Sequence, residues 1–98
     1  MNPITTFLNI AKRTLGEDST NKLEHSLSPY LIADSESIAY TAINSVLNNI
    51  FVTAAASPKT DKVKLLNIKS KMTLDQVPED FFQAIEDFFK YLREVEVF

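Results

Sequence analysis

The chain contains no cysteine and no tryptophan, one glycine at Gly16 and one histidine at His25. Without cysteine there is no disulfide framework, thiolate nucleophile or cysteine-based metal site. That composition fits a reducing compartment, and a cytoplasmic location is the expectation. A single glycine in 98 residues weighs against sandwiches and barrels, whose tight turns draw on residues at positive φ. A single histidine leaves no HExxH pair, and no spacing supports a Ser-His-Asp set. Charge is missing too, over the twenty-two consecutive residues from Ser37 to Pro58.

What is present points to helices. The chain is 45% apolar, enough for one modest core, and 98 residues suit one domain over 1–98 and not two. The fold class expected is all-α: a single compact bundle of about five helices around a long central helix. Residues Ile38, Ala39, Ile43, Val46, Leu47, Ile50, Phe51 and Ala54 recur at three- and four-residue steps, and so predict one inward stripe on that central helix. Asp34 or Ser35 is its N-cap, and Ser57 with Pro58 closes it.

Before it, Asn2 caps a first helix with Pro3 at the first position and an inward stripe of Ile4, Phe7, Leu8, Ala11 and Leu15. Lys12, Arg13 and Gly16 mark its end. That amphipathic, acid-free opening is shared by organelle-targeting peptides, but is read here as a structural helix; no secretory signal is expected. A second helix starts near Ser19 or Thr20, buries Leu23 and Leu27, and stops at Pro29. Tyr30, Leu31 and Ile32 form an apolar connector expected to pack under the central helix.

After it, Lys59 to Leu74 reads as a helix capped by Thr60 and frayed toward Ser70. In the last helix, led in by Thr73 or Asp75, Phe81, Ile85, Phe88, Leu92 and Val95 make a seam that Phe82 and Phe89 widen. Glu79 and Asp80 sit at its positive end, and Glu86 to Lys90 is the favoured i,i+4 order.

No reaction is visible in these residues. The neighbours Glu79 and Asp80, or Glu86 and Asp87, point in different directions from a helix and do not make an acid–base pair. Gly16 stands alone, so there is no phosphate loop, and His25 is read as a solvent-facing helix residue. No catalytic residue, cofactor, metal ion or small-molecule substrate is expected.

Charge is unevenly placed: residues 1–58 sum to −2, residues 59–71 to +4 and residues 72–98 to −5. Lys59, Lys62, Lys64, Lys69 and Lys71 could contact phosphates, but no arginine for base reading or aromatic for stacking accompanies them. A solvated face is the preferred explanation, and nucleic acid is not the expected partner. A membrane span is not expected either: the central helix is long enough, but Asn44, Asn48, Asn49, Thr41, Ser45 and Thr53 would be costly in lipid.

The informative surface is the far side of the central helix. Ser37, Thr41, Asn44, Ser45, Asn48 and Asn49, with Val52 and Ala55–Ala56, give a polar face without charge. Interface cores are depleted of charge, so this helix should be covered on both flanks, by its own chain or by a second copy. The expected function is therefore a non-catalytic protein-binding module, an adaptor or regulator that pairs with itself through Thr41, Asn44, Ser45, Asn48, Asn49 and Val52. Two alternatives stand beside it. One is a nucleic-acid-associated regulator using the lysine segment 59–71. The other is an apolar-ligand carrier whose Phe81, Phe82, Phe88 and Phe89 line a cavity.

Overall fold

Asn2 starts the first helix by accepting the backbone N–H of Ile4 on its side-chain oxygen at 2.8 Å, and its amide donates to the Leu31 carbonyl at 2.9 Å. The computed structural model describes residues 2–32, 35–72 and 78–97. Among them are five α-helices and one 3₁₀ turn: α1 Pro3–Leu15, α2 Glu17–Leu27, the turn Ser28–Tyr30, α3 Glu36–Ala56, α4 Lys62–Ser70 and α5 Pro78–Glu94. No strand occurs among the described residues, and the protein is an all-α bundle.

Gly16 joins α1 to α2 with nothing between them. Its φ of 87° is a conformation that a side chain would strain, and its N–H still bonds to the Lys12 carbonyl. Because the turn takes one residue, α2 begins at Glu17 and not at Ser19 or Thr20. Glu17 and Asp18 then occupy the positive end of its dipole. Thr20, one of the two expected starts, is instead buried one turn in, its hydroxyl donating to the Gly16 carbonyl at 2.7 Å. The connector after α2 packs only through Leu31; Ile32 is 87% exposed, and Tyr30 also meets solvent. Three successive residues of a helical turn point in three directions, so one of them can be inward.

Ser35 caps α3 through the N–H of Ile38, and the expected alternative Asp34 lies outside the described residues. At about 1.5 Å per residue the 21 residues of α3 run roughly 30 Å, most of the bundle's 39 Å long axis. This helix touches every other described element: α1, α2, α4 and the turn by close packing, and α5 through Tyr40, whose ring meets Phe81 edge-on at 5.8 Å. The tightest pairing in the bundle, however, is α1 on α5.

Asp61, and not Thr60, caps α4, accepting the N–H groups of Val63 and Lys64. Thr60 is buried one position earlier and donates to the Ala54 carbonyl at 2.7 Å, locking the end of α3. The Asp61 N–H donates to the Tyr91 hydroxyl at 2.7 Å, which ties the start of α4 to α5. Thr73 and Asp75, the expected lead-in to α5, lie outside the described residues; Pro78 is the first residue of that helix.

Along α5, Phe81, Ile85, Phe88 and Leu92 are fully buried as the seam predicted, and Val95 is half-buried. Phe89 is also fully buried, since α1 covers it: its ring meets Phe7 edge-on at 5.7 Å. Each such aromatic contact adds about 0.5–1.5 kcal/mol to the burial itself.

The α1–α5 pairing carries an ion-pair cluster at its rim. Arg13 donates to the Glu86 carboxylate through Nε at 3.1 Å and through a second guanidinium nitrogen, while Gln83 and Lys90 approach the other oxygen. The Arg13 hydrogen bonds, aided by the charge of Lys90, hold the Glu86 carboxyl below the ordinary carboxylate value of 4.5 despite partial burial. A group lowered in the folded state stabilises fully above its ordinary value, and that contribution is lost as pH falls through the lowered one. Glu86→Gln is therefore expected to cost about 0.5–1 kcal/mol at neutral pH and almost nothing in strong acid. Urea denaturation at both conditions measures the difference; an equal cost at both would show that the charge contributes nothing.

Candidate functional site: the outward face of the third helix

Helix α3 buries Ala39, Ala42, Ile43, Leu47, Ile50 and Ala54 and turns its far side to solvent. Ile38, predicted to lie in the inward stripe, belongs to the far side and is 51% exposed. At about 100° per residue it lies roughly 120–140° around the helix from Ile43 and Ile50, near which the buried stripe is centred. Of the six residues predicted to meet a partner, Thr41, Ser45, Asn48, Asn49 and Val52 are exposed and Asn44 is half-buried. Among the described residues nothing covers this flank, so of the two expected coverings, by the chain's own helices or by a second copy, the first is not found.

Read along this side, the exposed Ile38, Thr41, Ser45, Asn48 and Val52 and the half-buried Ala55 follow one another at steps of three and four residues. This is the a/d spacing with which one helix packs against another. Five of these six residues belong to the uncharged side expected from the sequence; Ile38, expected in the core, completes the row. Val52 is 66% exposed, so the seam has an apolar residue near each end.

The seam is inexpensive to desolvate in places. Thr41 donates its hydroxyl to the Ser37 carbonyl at 2.9 Å, and beside the seam Thr53 does the same with Asn49. Asn48 and Ser45 form no side-chain hydrogen bond among the described residues, leaving their polar groups free for another chain.

Charges lie only at the two ends of this face. Glu36 opens the helix, exposed at the dipole's positive end. At the other end Lys62 folds back from α4, its ammonium donating to the carbonyls of Ala55 and Ser57, the latter at 2.9 Å. That is where a cation best complements the helix dipole.

The remaining lysines of the basic segment do not converge. Lys64 lies over the Tyr91 ring at 4.8 Å and Lys69 over the Phe51 ring at 4.4 Å. Lys59 approaches Glu96 at 4.0 Å, and Lys71 lines a shallow depression with Asp80, Gln83, Ala84 and Asp87. The basic segment is thus dispersed over intrachain contacts, with Leu65 and Met72 turned into the core and Val63 and Leu66 exposed between the cations.

The four phenylalanines of α5 pack on one another and on Tyr40 and Phe7; Phe82 alone is only half-buried. His25 is exposed on α2. By length and composition α3 is, among the described residues, the one helix able to cross a membrane, with a third of its apolar window buried in the bundle. No protein-family model matches the chain, and no characterised protein or solved structure is significantly similar to it.

Proposed function

We propose that this protein is a non-catalytic helical binding module that pairs with a second copy of itself through the outward face of α3, acting as an adaptor or regulator in the cytoplasm. The observation that supports this most is the regularly spaced seam, exposed except at the half-buried Ala55, inside a run of twenty-two uncharged residues. Solvated helix faces are normally rich in lysine and glutamate, whereas charge is depleted where proteins meet. A net charge of −3 would oppose association of two copies, and a neutral contact face keeps that repulsion away from the interface.

One helix face of this length and about 10 Å width covers roughly 300 Å² per copy, well under the ~800 Å² of a standard stable interface. The dimer is therefore expected to be weak and reversible, so association should be followed from about 10 to 500 μM. Light scattering or sedimentation should show the mass rising from 11.1 kDa toward twice that value. Asn48→Arg, which brings an unpaired cation to the middle of the seam on each copy, should hold the protein at 11.1 kDa with its helical circular dichroism unchanged. A wild-type mass that stays monomeric over that range defeats the self-pairing reading.

A further inference from the structure

We infer that the two copies pair antiparallel, with the two-fold axis crossing α3 midway between Val46 and Leu47; this rests on the proposed self-pairing and specifies its geometry. The seam positions 38, 41, 45, 48, 52 and 55 form a palindrome, their steps being three, four, three, four and three. In an antiparallel pair each position n faces 93 − n on the other copy. Ile38 then meets the partner's Ala55, Thr41 meets the partner's Val52, and Ser45 meets the partner's Asn48.

The end and central layers thus combine a larger side chain with a smaller one, and the Thr41 layer pairs two of nearly equal size, which keeps the helix separation constant. At the centre the Asn48 amide can reach the partner's Ser45 hydroxyl, satisfying two groups that have no side-chain bond within the described residues. A parallel pair sets each residue against itself. Ile38 would crowd the partner's Ile38 at one end, while Ala55 would face the partner's Ala55 across a gap at the other.

Charge gives the same answer independently. Antiparallel pairing brings Glu36 toward the partner's Lys62 at both ends of the contact and opposes the two helix dipoles. Parallel pairing places like charges together at each end and aligns the dipoles.

Because the chain has no cysteine, engineered thiols are the only ones present and report the geometry directly. Thr41→Cys and Val52→Cys are both exposed positions and leave the core untouched. In the antiparallel pair, Cys at 41 faces Cys at 52 of the other variant, but lies about 16 Å along the helix from its own counterpart, beyond the ~4.4–6.8 Å span of a disulfide.

Mixing the two variants, one carrying a mass tag, under mild oxidation should therefore yield the mixed disulfide at least about tenfold faster than either variant links to itself. Circular dichroism on each variant confirms that it is folded. Homodisulfides dominating, with wild-type protein dimeric by light scattering, would overturn the orientation while leaving self-association standing. No disulfide in any mixture, with wild-type protein dimeric, would overturn both the orientation and the α3 interface. A monomeric wild type would overturn the whole reading.

Discussion

Replacing Phe88 by alanine is expected to cost about 3–5 kcal/mol, because its ring is fully buried and cannot be replaced by solvent without opening a cavity. The ring lies 5.9 Å from that of Phe89, which in turn meets Phe7 of α1, so the cavity falls in the tightest helix pairing of the bundle. Small domains are stable by only about 5–15 kcal/mol, and each kcal/mol at this size shifts the melting temperature by about 4–8 °C. The variant should melt at least 12 °C lower, in rough proportion to that cost, or fail to fold cooperatively. Phe82→Ala, at a half-buried position, should cost clearly less. Urea titrations of both variants decide the matter; a loss under about 1 kcal/mol at Phe88 would mean that the aromatic cluster is not closely packed.

The second large effect contrasts two neighbours. Leu47 is 2% exposed, whereas Asn48 lies in the solvent-facing seam. Leu47→Asp removes a buried side chain, worth about 2–5 kcal/mol, and puts a carboxylate into an apolar site without a partner. Together these terms match or exceed the whole stability of a domain this size, so the protein should lose its cooperative unfolding transition and its dispersed NMR spectrum. One residue further along, about 100° around the same helix, Asn48→Arg should leave both intact. If Leu47→Asp folded normally, the inward stripe of α3 would be wrongly placed, and the outward seam with it.

Much of this architecture was readable from residue order. The α5 seam followed from phenylalanines and aliphatics at helical spacing, and the Asn2–Pro3 start of α1 from local capping chemistry. The cap of α4 was misplaced by one residue because Thr60 and Asp61 are both able caps. Only the packed structure turns Thr60 inward onto the Ala54 carbonyl. Ile38 reads as core beside Ala39, but it stands five residues from Ile43, about 140° around the helix, and so falls outside the inward stripe. Its position at the back of α3 depends on where the stripe centre falls, which contacts with α1 and α2 set.

The lysine segment shows a second kind of gap. Spacing along the chain places five cations within thirteen residues, but gives no information about which partner each reaches. Lys62 bends back to the carbonyls ending α3, while Lys64 and Lys69 cover aromatic rings on α5 and α3 respectively. A cluster in sequence became a dispersed set in space, since a short helix wedged between two others sends its side chains to both.

By itself, the order of residues determined that this chain is helical, about how many helices it forms and most of the residues that face the core, Ile38, Thr20 and Thr60 apart, because each of these depends on local periodicity and capping. It also determined that α3 carries no charge beyond Glu36. Whether that neutral flank would be covered depended on the directions in which α1, α2, α4 and α5 leave their turns, a matter of long-range packing. The tertiary arrangement leaves it open, and in doing so brings Ile38, Thr41, Ser45, Asn48, Val52 and Ala55 into one palindromic row.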